Sequence, residues 1–117
     1  MNNKKRSILK PNLIVNFFKR GKITTTLTRA KLVQGSIEKI ITKGKKVLEA
    51  REKNQIVALS MIRQIVKEMK TNDCLENVLK MASVFKEHKG GYLRRCKLGF
   101  FLDGSIKAEL CPIITIK

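Results

Sequence analysis

The 117-residue sequence has little of what catalysis, membrane insertion and disulfide scaffolding require. Tryptophan is absent, tyrosine occurs once and acidic residues number nine. No apolar run approaches the roughly 18 to 20 residues that span a bilayer. The opening Met1-Asn2-Asn3-Lys4-Lys5-Arg6 leads into no secretory apolar segment, so the chain reads as soluble and intracellular. The acid-free stretch up to Glu38 has something of an organellar transit segment, but it grades directly into patterned structure. Three cysteines, Cys74, Cys96 and Cys111, are an odd number without CxxC spacing, which suits neither a disulfide framework nor a zinc ribbon. They read as reduced packing residues. His88 is the one histidine, and no nucleophile or orienting group is patterned around it. Paired carboxylates, a metal cluster and a phosphate loop are missing too. These gaps point away from an enzyme and from any cofactor.

Positive charge is what the chain has. Lys+Arg 26 against Asp+Glu 9 gives a net +17 and a pI near 10.3, and an isolated domain so charged repels itself. It suits a polyanion, with nucleic acid first, because each neutralised phosphate releases condensed counterions, and an anionic membrane surface second. The 43% hydrophobic content is enough to offset chain entropy, so the charge sits on one folded body, long enough for a single core.

Residues 1–10 hold too few apolar positions to fold alone and read as a basic arm that orders on a partner, with one domain over 11–117. Pro11 suits the first position of a short helix, in which Leu13, Ile14, Phe17 and Phe18 form an apolar stripe. Lys19, Arg20 and Lys22 close that helix near Gly21. The β-branched run Ile23-Thr24-Thr25-Thr26 predicts a short strand. Thr26 or Thr28 then caps a helix carrying Val33, Ile37, Ile40, Ile41 and Leu48 on one side, with Gly44 as its end or a kink. From about Ala50 to Lys70, the set Ala58, Leu59, Ile62, Ile65, Val66 and Met69 predicts another helix. Asp73 and Glu76 match a capping box, predicting a fourth helix that stops at Gly90.

The last segment predicts a hairpin, roughly Tyr92 to Leu102 and Ser105 to Ile116, around Asp103-Gly104. A two-residue type I′ turn there would set Cys96 opposite Cys111, at a hydrogen-bonded pair where the α-carbons stand wide apart, so free thiols are expected. Pro112 cannot donate to a ladder, so its strand is an edge there or is ending. The hairpin's first half, Gly90-Gly91-Tyr92-Leu93-Arg94-Arg95-Cys96-Lys97-Leu98-Gly99-Phe100, sets an aromatic ring and three cations on a strand, which is equipment for gripping phosphate. Arg94 and Arg95 reach opposite faces. Tyr92 either stacks on a base or is a buried ring.

Two stretches together resemble the bacterial-type large-subunit ribosomal protein L-seventeen family. Lys22-Ile23-Thr24-Thr25-Thr26-Leu27-Thr28-Arg29-Ala30-Lys31 is similar to its threonine-rich entry into a helix, and Gly90 to Gly99 to its glycine-glycine-tyrosine, arginine, lysine and glycine run. Thr25, Thr26, Lys31, Gly90, Gly91, Tyr92, Arg94, Lys97 and Gly99 fill the family pattern. The resemblance implies an α+β fold of order α-β-α-α-α-β-β, which the residue reading reaches independently, with helices packed on a small sheet that contains the C-terminal hairpin.

The resemblance also implies a structural role on the large ribosomal subunit, in a bacterial cytoplasm or an organelle interior. The implied partners are large-subunit ribosomal RNA and neighbouring ribosomal proteins, with neither a membrane nor a small-molecule substrate. A non-ribosomal nucleic-acid-binding or nucleoid protein is the alternative. The candidate RNA-contacting residues are Lys4, Lys5, Arg6 and Lys10 of the arm, Lys19, Arg20 and Lys22, then Arg29, Lys31, Lys45 and Lys46. Lys89, Tyr92, Arg94, Arg95 and Lys97 complete the set. The chain departs from the family where that family's longer basic arm runs into a long first helix, which Pro11 would interrupt here. It departs again at Phe101, where the family often has arginine, and at Asp103-Gly104, which reverses the usual order.

Overall fold

Among the described residues, four helices and three strands follow one another in the expected order. They are α1 (Asn3–Arg20), β1 (Ile23–Thr26), α2 (Leu27–Lys53), α3 (Gln55–Met69), α4 (Leu75–Val84), β2 (Leu93–Phe100) and β3 (Ile106–Pro112). The structure, a computed structural model, describes residues 3–114, with side chains from residue 10 onward. The side chains of Lys4, Lys5 and Arg6 and the strand end expected at Ile116 lie outside the described residues. The fold class is α+β: a three-stranded antiparallel sheet of order β1-β3-β2 against a helical layer. No helix among the described residues is long and apolar enough to cross a membrane.

Pro11 lies inside α1, not at its first position, so the long first helix that the family resemblance implies is present despite it. A proline lacks only its own N–H and crowds the carbonyl one turn back; the next turns bury Ile14, Phe17 and Phe18 in the core, which offsets that loss. Gly21 (φ 85) ends the helix, its N–H donating to the Phe17 carbonyl at 2.7 Å.

The central element is α2, about 40 Å long at 1.5 Å per residue. Thr26 is its N-cap, accepting from the Arg29 N–H at 3.3 Å. Ala30, Val33, Ile37, Ile40, Ile41 and Val47 form its buried stripe. The helix continues through Gly44, so that glycine neither ends it nor marks its boundary. Its role is close approach: a β-carbon there would stand 3.0 Å from Ala82 Cβ and 3.4 Å from Val78 Cγ1 on α4. The boundary with α3 falls at Asn54. Its N–H donates to the Ala50 carbonyl at 2.6 Å, and its side-chain oxygen accepts from the N–H groups of Ile56 (3.1 Å) and Val57 (3.4 Å). One asparagine thus closes one helix and opens the next. On α3, Ala58, Ile65 and Met69 are buried, whereas Leu59 is exposed.

The Asp73–Glu76 capping box does not form. The cap position of α4 is Cys74, which makes no side-chain capping bond. Asp73 instead gives its N–H to Thr71 Oγ1 at 3.2 Å. The helix also stops at Val84, short of Gly90, with turns carrying the chain through His88. Burial raises the Cys74 thiol above its ordinary range.

Within the hairpin the expected register is wrong. The loop has three residues, Leu102, Asp103 and Gly104, closed by Phe101 N–H to Ser105 O at 2.9 Å and Gly104 N–H to Phe101 O at 3.0 Å. Gly104 alone in this loop has positive φ (90), as a type I turn followed by a left-handed residue requires. Asp103 selects that turn by accepting from the Ser105 N–H (3.0 Å) and hydroxyl (2.6 Å). A bulge at Leu98, between Lys97 and Gly99, then shifts the pairing by one more residue. Cys96 therefore faces Glu109, and Cys111 faces Arg94. All three cysteines are free. β3 is the central strand, and Pro112 is its last residue.

The two bonds from Ser105 hold the Asp103 carboxyl below the usual carboxylate range. A lowered folded-state value means the turn gains stability above the ordinary range and loses it as pH falls through the lowered one. Ser105→Ala should therefore move the Asp103 titration, followed by carboxyl NMR shifts, back up toward ordinary values. An unmoved titration would contradict the turn described.

Candidate nucleic-acid interface

The surface that survives folding is set by which cations the core leaves free. At the end of α1, Phe17 and Phe18 turn inward, their rings edge to face at 5.3 Å, which leaves Lys19 and Arg20 exposed on the far side, followed by Lys22. The chain then enters β1, an edge of the sheet whose other edge is β2. Across the sheet end, Arg94 comes round to meet them: Arg20, Lys22 and Arg94 line one cleft of about 320 Å³, with Glu109 and Cys111 also in its wall. Arg94 Nε donates to Cys111 Sγ at 3.3 Å, which raises the affinity of the guanidinium for its proton. The bond uses one of five guanidinium donors and anchors the group while the rest remain available.

Antiparallel partners share a face, so the register sorts the strand cations. Arg95 lies opposite Leu110 and Lys97 opposite Ala108, on the face that packs against the helices, while Arg94 lies on the other. Leu93, Ala108 and Leu110 are buried on that inner face, but Arg95 and Lys97, on the outermost strand, are exposed. Arg29 lines a second cleft between β1 and the hairpin loop. Lys31, Lys46 and Lys89 are exposed and join neither cleft.

Two candidates serve the fold. Tyr92 is 2% exposed, so its ring is not open to a base. The ring packs on Phe85 at 5.1 Å, and Phe85 in turn meets the His88 ring edge at 5.4 Å. The Tyr92 hydroxyl is 3.2 Å from both Thr42 Oγ1 and Lys45 Nζ. Lys45 also donates to the His88 carbonyl, and its ammonium lies 5.1 Å from the Tyr92 ring centroid. Lys45 is thereby a clamp between α2 and the segment leading into β2, not a free phosphate ligand.

Sequence reasoning missed a third cationic cleft. Lys10, expected in an arm, stands in α1 beside Lys43, Lys67 and Lys70, with Glu68 the acid among them. The spacing of Lys67 and Lys70 along α3 was available as a signal, but their meeting with Lys10 depends on α1 continuing through Pro11. Among the described residues the one salt bridge is Lys53 to Glu49 at 3.9 Å, on an exposed helix turn, so acids cancel little of this charge. No three His, Cys, Asp or Glu side chains group as metal ligands among those residues.

This is a small α+β domain with cations gathered where a helix terminus meets a sheet end, a class suited to holding a polyanion. In comparison with known proteins, the family described as Ribosomal protein L17 matches residues 9–113. Relatives named large ribosomal subunit protein bL17 include one from Clostridium kluyveri, 35% identical over 95 residues, covering 81% of this chain and 75% of the relative. One from Ehrlichia ruminantium is 35% identical over 107 residues, covering 91% and 75%. A third, from Thermoanaerobacter sp., is 36% identical over 95 residues, covering 81% and 76%. The chain belongs to this family of large-subunit ribosomal proteins.

Replacing Tyr92 by Phe removes the hydroxyl that Lys45 and Thr42 share and should cost about 1 to 2 kcal/mol, read as a lower denaturant midpoint at unchanged slope. RNA affinity should not change. Lost RNA binding at wild-type stability would put Tyr92 at the interface after all.

Proposed function

We propose that the chain is a non-catalytic constituent of the large ribosomal subunit that binds and stabilises large-subunit rRNA through its basic surface. The observation that carries this reading is the convergence of Arg20, Lys22 and Arg94 on one cleft, in a family of ribosomal proteins. Cations held on rigid elements neutralise phosphates where RNA segments approach, which favours the compact RNA fold over looser ones and releases counterions. Arg29 and Lys31 extend the surface along α2, and Lys19, Arg95 and Lys97 flank it. Lys4, Lys5, Arg6 and Lys10 add charge along the opening helix. Neighbouring ribosomal proteins complete the surroundings, and the setting is intracellular, on the ribosome.

Sedimentation of cell or organelle extract tests this. The chain should cofractionate with large subunits and stay there through a high-salt wash; recovery in free or DNA-bound fractions would overturn the reading. With purified rRNA, Arg20→Ala, Lys22→Ala and Arg94→Ala combined should flatten the plot of log affinity against log salt by about 2 to 3, at roughly 0.7 to 0.9 per phosphate contact. An unchanged slope would remove the cleft from the interface.

A further inference from the structure

Of the two readings of Tyr92, base platform or buried ring, the structure has the buried ring, yet the strand that follows it presents another ring. Phe100, at the end of β2, is 74% exposed. Its place on the strand is set by the bulge at Leu98. In a regular strand Lys97 and Phe100, three residues apart, would point to opposite faces. With one residue bulged out, Lys97 pairs with Ala108 and Phe100 with Ile106, two partners of like parity on β3, so Arg95, Lys97 and Phe100 share one face. β2 is a sheet edge, and this outer half of it lies beyond the buried Leu93.

We propose that Phe100 is a stacking platform for an unpaired base of RNA, with Arg95 and Lys97 taking the phosphates that lead to it. This inference rests on the rRNA-binding reading above and names a base contact within it. Successive bases of an unpaired strand have π-faces that stack on aromatic rings without regard to sequence, while cations along the groove hold the backbone. Arg95 and Lys97 stand about 7 Å apart along the strand, so both side chains lead toward the ring from one direction. The hairpin tip holds further apolar side chains: Leu98 is half exposed at the bulge, and Ile106 pairs with Phe100. Phe101 follows Phe100 and turns the other way, with Lys107 Nζ 5.6 Å from its ring centroid. Leu102 sits in the loop itself. An exposed ring on one face with Arg95 and Lys97 suits a stacked base whose phosphates the two cations hold.

The test uses the full chain with two probes, a short unpaired oligoadenylate and an RNA duplex of equal length, read by fluorescence anisotropy. Phe100→Leu keeps an apolar side chain and removes the ring. It should weaken oligoadenylate binding by about 5- to 150-fold and leave duplex binding unchanged. Phe100→Trp should restore affinity, with its indole emission quenched on binding. Equal oligoadenylate affinity for wild type and Phe100→Leu would overturn the proposal, as would equal losses on both probes. A photo-crosslinking group at position 100, in chains assembled into large subunits, should join to RNA; joining to a protein neighbour would replace the base with a protein partner. Failure to find the chain on large subunits would instead count against the ribosomal reading, separately from these outcomes.

Discussion

The hydrogen bond between Lys45 and the Tyr92 hydroxyl is the point on which the two layers of the molecule depend. Lys45 belongs to α2, the helix against which the other elements pack, and Tyr92 is the last residue before β2. The Lys45 ammonium also holds the His88 carbonyl, and the Tyr92 ring sits on Phe85. One cation thus ties down the chain leaving α4 and sets the direction in which β2 departs. Because β2 carries Arg94, Arg95, Lys97 and Phe100, the position of the basic strand follows from this contact. A buried hydroxyl with a charged partner is costly to leave unpaired, which makes the junction well defined.

Once that junction is fixed, the charge divides by location. Cations on α1 and β2 are brought to one cleft by the sheet end, and the acids are too few and too dispersed to neutralise them. In the proposed role such a surface would bind through phosphate, with sequence discrimination left to RNA shape and to any base that reaches the protein. The exposed edge strand carries its own protection against pairing with another sheet: three cations, a bulge and Gly99 at φ 134. The bulge that spoils the edge also lines up Arg95, Lys97 and Phe100 on one face.

Element order was legible in the sequence because it rests on short-range signals. The β-branched run at Ile23–Thr26, the stripe from Val33 to Ile41 and the turn at Asp103-Gly104 each report on a few neighbouring residues. What sequence could not supply depended on tertiary packing or on single-residue offsets. Gly44 reads as a break until α4 is seen packed against it. Asn54 is a cap only because its side chain turns back to Ile56 and Val57, inside an otherwise continuous apolar periodicity. The hairpin register failed because one loop residue and one bulged residue each moved the pairing, and neither alters the alternation enough to show. Among the site residues, Arg20, Lys22 and Arg94 were identifiable by charge, but their convergence was not. Lys45 was indistinguishable from a surface group, and Tyr92 stayed open between base platform and buried ring, because burial of an amphipathic side chain leaves no periodic mark.

We propose that folding separates the cations into a structural set and an RNA-facing set. Lysine reactivity toward a small acylating reagent, mapped by mass spectrometry on the free protein and on protein assembled into large subunits, tests it most directly. Lys22 and Lys97 should react readily when free and become protected on the subunit, while Lys45 should react slowly in both states. Equal labelling of Lys22 and Lys97 in the two states, or a Lys45 that is reactive when free and protected only on the subunit, would contradict the account.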